Sequence, residues 1–462
     1  MEGAFHFVDV LRTDKASKRL MRRHVMKGKN AGRTIHRRAR REAPRCRRPE
    51  IVTSRREEET EVQKLKSPAA MPQCLQRQTL GLSTPVGLTP YSLGVINKFF
   101  AYVADRMYPV HLGLTLEDTK RLWLQLLVTD EASHHCNVAL LDACNQLFLL
   151  GGDSSPQALY HLSEAYAHIQ KRLASPDALS DSTIGLVVAF IHQEQIKKGG
   201  SQARIHFDGL RRMVALRGGI GELEGNLPLT LKICKTDVIF TLQFGGPSAF
   251  FRDRMPDVRD SIFRMGPGGD PTAPPIPHEG LDPRLHGVLV DALYISSIFN
   301  GHSRHHRVSL IVYQEMVLSM FYRLLHFRPL EGPRQGSDLD AAYHTGLVVF
   351  TMTIFLQCQR QRCIDSRLSF QCLRDTVETA IIERERELAL WVVVVGGVWM
   401  WNHPGGEWLA PKLSMASEAL GIETWDDACT VLKKFPWLDC IHDEPGRQVW
   451  ERALEDSPRF DM

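Results

Sequence analysis

The chain predicts an all-α body: a large multi-helix regulatory domain behind a disordered basic N-terminal arm. Three observations carry the prediction. Apolar residues recur at three- and four-residue spacing through successive stretches of a dozen or more residues, which places them on one helix face. Gly and Pro stand between those stretches as punctuation. No run shows the alternation of a half-buried strand, and no short repeat recurs.

Residues 1–66 form the arm. Thr13–Lys27 suits a basic helix with Thr13 as N-cap and Gly28 past its end, but Ala16, Leu20, Met21 and Val25 are too few to hold it against a core. Arg33–Arg48 is denser in like charge and repels itself until something neutralises it. Residues 67–90 read as a linker, with Pro68, Pro72, Pro85 and Pro90. From 91 to about 455 runs the helical body, interrupted by a Pro- and Gly-rich loop at about 252–283. Tyr91–Tyr108 is a helix that Pro109 ends, and Thr115–Val128 opens with a capping box completed by Asp118. Ser133–Leu150, Pro156–Leu173 and Ser182–Ile196 follow.

Ser201–Gly219 is the most informative stretch. Phe207, Leu210, Met213 and Val214 share one helix face, and Gly218-Gly219 supply the left-handed closure, with Arg217 beside the last carbonyls. Gly209 is expected to admit close approach of another helix, because a mid-helix Gly costs roughly 1 kcal/mol relative to Ala. Leu229–Gln243 comes next. Residues 252–283 carry seven prolines and read as a long loop. Helices resume at Leu285–Phe299, Val308–Phe327, Asp338–Gln357, Ser369–Ala389, Leu390–Trp401 and Thr424–Phe435.

The net charge of +4 conceals an asymmetry. Residues 12–48 hold 16 Lys and Arg against Asp14 and Glu42, a local +14; the rest holds 41 basic and 51 acidic residues, a charge of −10. A basic arm on an acidic body points to an anionic partner, namely nucleic acid such as DNA, acidic lipid or a nuclear import receptor. The contact residues expected are Arg22, Arg23, Lys27, Lys29, Arg37, Arg38, Arg40, Arg41, Arg45, Arg47 and Arg48. No Leu heptad follows the arm, which excludes a leucine zipper. The ten cysteines include no Cys-x-x-Cys and suit an intracellular protein. Met1–Leu11 does not read as a signal peptide, and Leu388–Trp401, the longest uncharged apolar run at 14 residues, is too short to span a bilayer.

Catalytic patterns are absent. His161, Glu164 and His168 miss the His-Glu-x-x-His spacing, and His302, His305 and His306 read as a solvated loop. Cys358, Cys363 and Cys372 lack zinc-site spacing and read as helix cysteines. No Gly-Gly pair follows a strand in a phosphate cradle, and no Gly-x-Ser-x-Gly elbow appears. The expectation is no enzyme, no cofactor and no metal.

His206-Phe-Asp-Gly-Leu-Arg-Arg-Met-Val-Ala-Leu-Arg-Gly-Gly219 resembles the signature segment of the fungal-specific transcription factor domain family, with His206, Gly209, Arg217, Gly218 and Gly219 as its marks. Arg22–Asn30, Leu388–Gly397 and Phe435–Gly446 are similar, in order, to further segments of that family. The resemblance implies an all-helical regulatory domain in a nuclear protein, bound to a partner protein or an apolar effector. The family's usual DNA reader is an N-terminal binuclear zinc cluster of six cysteines; the first 100 residues here hold only Cys46 and Cys74, so no residue takes a zinc-ligand role. The resulting expectation is a transcription-factor-like regulator whose arm serves import and non-specific DNA contact. The alternative is a helical interaction scaffold that binds no DNA.

Overall fold

A computed structural model describes residues 87–109, 112–115, 130–150, 155–197, 199–263, 277–301, 308–331, 336–355, 366–379, 384–400 and 406–456, all within the unit Leu65–Met462. The fold is all-α. Helix α1 (Pro90–Tyr102) starts where Thr89 accepts from the Ser92 amide, and a 3₁₀ turn, Ala104–Met107, continues it. The only strands among the described residues are a two-residue parallel pair, β1 (Leu114–Thr115) against β2 (Val308–Ser309), with Leu114 opposite Val308. Thr115 is therefore strand rather than the opening of a helix, and residues 116–129 of that expected helix lie outside the described residues.

Helices α2 (Glu131–Asn145), α3 (Pro156–Leu173), α4 (Asp181–Ile196) and α5 (Gly200–Leu216) follow closely on expectation. Local chemistry explains three of their starts: Asp130, Ser155 and Ser180 each accept a hydrogen bond from the amide three residues on, satisfying an otherwise orphaned donor. Together with α6 (Leu227–Phe244) they enclose one apolar core, in which Phe207 stacks on Phe240 at 4.1 Å and Tyr166 on Phe190 at 4.4 Å.

The opposite side of α6, through Leu231, Cys234, Val238 and Leu242, belongs to a larger core. That core is built with α7 (Met255–Phe263), α8 (Pro283–Gly301), α9 (Leu310–Phe327), α10 (Asp338–Phe355), α11 (Arg367–Val377), α12 (Arg386–Met400), α13 (Leu409–Leu420), α14 (Trp425–Leu432) and α15 (Asp439–Asp456). The apolar run of α12 is buried from Leu388 to Met400, as its composition predicts. Its Gly396 and Gly397 are contact points: a Cβ on Gly396 would lie 2.7 Å from Leu373 and one on Gly397 2.5 Å from Val449.

Three expectations need correction. The proline-rich loop contains α7, whose Met255, Val258 and Ile262 fill the larger core; residues 264–276 lie outside the described residues. The single helix expected over Ser369–Ala389 is broken, since α11 ends at Val377 and α12 begins at Arg386. Helices α13 and α15 are additional. The second of these carries Pro445 internally, and a Cβ on the adjoining Gly446 would lie 2.7 Å from Trp425, so packing overrides the breaker residues.

Candidate functional site

The basic residues Arg22, Arg23, Lys27, Lys29, Arg37, Arg38, Arg40, Arg41, Arg45, Arg47 and Arg48 lie outside the described residues, as do Cys46, Cys74, Cys358, Cys363 and the His302–His306 group. The marks on α5 are described, and two behave differently from expectation. Gly218 and Gly219 take φ of 96° and 103°, the left-handed closure foreseen for them. Arg217, by contrast, does not serve the carbonyls of its own helix. Its Nη1 donates to the Leu179 carbonyl at 2.6 Å and to Asp181 Oδ1 at 2.9 Å, which ties the end of α5 to the start of α4. Gly209 meets no helix of its own chain: it is exposed, and nothing lies within 4 Å of where its Cβ would be. His206 is half-buried with its ring stacked on Phe190 at 5.9 Å, and burial lowers its pKa against the opposing charge of Glu194.

A cluster of titratable side chains lies between α2 and α3. His135 Nδ1 and His161 Nδ1 are 2.9 Å apart, close enough for one ring to donate and the other to accept. His134 packs edge-on against both rings, at 5.7 and 5.8 Å between centroids. Tyr91 of α1 stacks on His161 at 5.7 Å, while its hydroxyl meets Ser155 Oγ at 2.8 Å. Ser155 in turn donates to Asp142 at 3.4 Å and caps α3. On the outer side His168 Nε2 lies 3.8 Å from Glu131.

Burial sets the titration of this pair. His161 is pushed down to about 4, first by burial and then by the adjacent His135 and His134. His135 is lowered chiefly by burial, with Glu164 and Glu131 opposing and His168 reinforcing. The arrangement stores a neutral imidazole pair and resists a second proton. Of the histidines singled out by sequence, it draws in His161 while His168 stays peripheral. Sequence reasoning misses His134 and His135. Their adjacency near the start of a predicted helix is the available signal, but nothing local names the partner helix. Among the described residues no group of three or more His, Cys, Asp or Glu side chains could hold a metal ion, and the six described cysteines are free thiols.

Because the folded pKa of His161 and His135 lies below the unfolded value near 6.5, both contribute stability above that pH and lose it as pH falls, for His161 toward about 4. Buried His344, also lowered to about 4, acts in the same direction. Urea unfolding midpoints are expected to fall across this window, and His161→Phe to flatten the decline. An equal slope in the variant would contradict the assignment.

Several other buried charges pair with one another inside the fold. Arg252 bonds Glu315 and Glu224; Arg259 and Arg323 both bond the fully buried Asp291. His278 bridges Tyr343 and Glu385 at 2.6 and 2.8 Å. No described helix is long and apolar enough to cross a membrane. Comparison with protein-family models, with curated proteins and with solved structures finds no match to this chain.

Proposed function

We propose that the chain is a nuclear, transcription-factor-like regulator of the fungal-specific transcription factor domain family. In this reading the helical body binds a partner protein or an apolar effector, and the basic arm gives nuclear import and sequence-independent contact with DNA. The observation that carries it is the charge split, +14 within residues 12–48 against −10 over the rest of the chain. A cationic segment of that density gains free energy from phosphate by releasing condensed counterions, whatever the base sequence. An acidic body favours engagement through the arm alone. The four segments similar to the family, from Arg22–Asn30 to Phe435–Gly446, supply the second support. No catalytic step and no cofactor are assigned.

Titration of the full chain with duplex DNA across a salt series tests the DNA half. If the arm neutralises six or more phosphates, affinity is expected to fall about a thousandfold or more between roughly 50 and 200 mM salt, on any sequence. Replacing Arg37, Arg38, Arg40 and Arg41 by Gln should reduce the slope of log affinity on log salt by about 0.9 for each phosphate left unneutralised. Absent or salt-indifferent binding would overturn it. Residues 12–48 fused to a fluorescent reporter test import, and a cytoplasmic signal counts against it.

A further inference from the structure

Helix α5 carries a face that no other described element covers. Ile205 and Leu216 are 65% and 63% exposed, the highest values among the large apolar side chains of the described residues. Asp208, Gly209 and Arg212 are exposed as well. At about 3.6 residues per turn these five positions fall on one stripe, opposite the buried Phe207, Leu210 and Val214.

Single exposed apolar residues are ordinary on any surface. The arrangement of these is not, because the stripe is symmetric about its own middle. Ile205 and Leu216 lie equally far on either side of a point beside Leu210, separated by about 16 Å along the axis. Asp208 and Arg212, of opposite charge, flank Leu210 itself. Turned end over end about a two-fold axis there, the stripe sets Ile205 against Leu216 of a second copy and Asp208 against its Arg212. Gly209 sits beside the crossing, where the absence of a side chain lets two helix backbones come closest. The internal Asp208–Arg211 pair, 3.7 Å apart with both side chains mostly exposed, is solvent-screened and does not compete strongly.

We propose that this face is an isologous contact with a second copy of the chain, an antiparallel α5–α5 pair. One pair of 17-residue helices makes a small interface, so the dimer is a weak one that forms in the micromolar range.

Charge reversal tests the pairing on the full chain. Sedimentation velocity over a concentration series is expected to show reversible dimerisation. Asp208→Arg and Arg212→Asp, both at exposed positions, should each weaken it about tenfold, since each turns two opposed pairs into like charges. Mixed in equal amounts, the two variants should form a heterodimer at least as tight as the unmodified dimer, because every cross-contact is then complementary. A chain that stays monomeric up to about 100 μM, well above the range of such interfaces, would overturn the proposal. So would single variants that dimerise normally, or a mixture that fails to recover although each variant melts like the parent.

Discussion

Gly346→Val is expected to destabilise the body by about 3 kcal/mol or more, the upper end of what overpacking costs. A Cβ at Gly346 of α10 would overlap the edge of the Trp391 ring on α12. Trp391 has nowhere to go. It is fully buried, its Nε1 donates to the Pro436 carbonyl at 3.0 Å, and its ring stacks on Phe435 at 5.3 Å. Relief therefore requires α10 and α12 to separate, which breaks the larger core along its length. The internal comparison is Gly209→Ala on α5, where the added methyl meets nothing and the substitution should stabilise by about 0.5–1 kcal/mol through helix propensity. Urea unfolding of the two variants checks both signs, and a Gly346→Val protein with an unchanged midpoint would refute the contact.

Asp237→Ala is the second large effect, expected to cost about 3–5 kcal/mol because three donors, the buried Tyr322 hydroxyl and two half-buried amides, lose their acceptor together. The carboxylate, 1% exposed on α6, accepts from the amides of Ala249 and Phe250 at 2.8 and 2.9 Å and from the Tyr322 hydroxyl at 3.0 Å. One side chain thus fixes the turn after α6 and ties it to α9. Burial raises its pKa, and these three bonds work against that rise. Tyr322→Phe removes a single partner and should cost only about 1 kcal/mol. Equal losses for the two variants in denaturant titrations would show that the carboxylate does not organise the turn.

Much of the fold is legible because helix boundaries are written locally. Pro156–Leu173 is found at the bounds expected, with Ser155 and Pro156 marking its start. Gly218-Gly219 close α5 as their freedom at positive φ requires. What escapes depends on residues far apart in sequence. Arg217 finds Asp181, 36 residues away, in preference to the carbonyls beside it. His135 and His161 meet only because α2 and α3 pack together, and spacing along one helix carries no record of that. Gly209 misleads because a glycine in a helix suggests a close neighbour within the fold; inside the chain that role falls to Gly346, Gly396 and Gly397. Helix α15 is hidden by Pro445, whose local penalty is outweighed by the packing of Trp425, Trp437 and Trp450.

The larger core joins Tyr108 to Ala453, with Trp391, Phe435 and Trp437 at its centre. A nascent chain therefore cannot close it until α12 and the residues after α14 have left the ribosome. The smaller core of α2 to α6 is complete at Phe240, about 200 residues before Trp437 and Ala453. Folding during synthesis then has two stages: an early unit that docks its own helices, and a late one that waits with the other side of α6 bare. At about 5–20 residues per second the wait lasts on the order of ten seconds or more. Through that interval Val238, Leu242 and the apolar faces of α8 to α10 are open to solvent, which makes the half-made protein a natural client for chaperones.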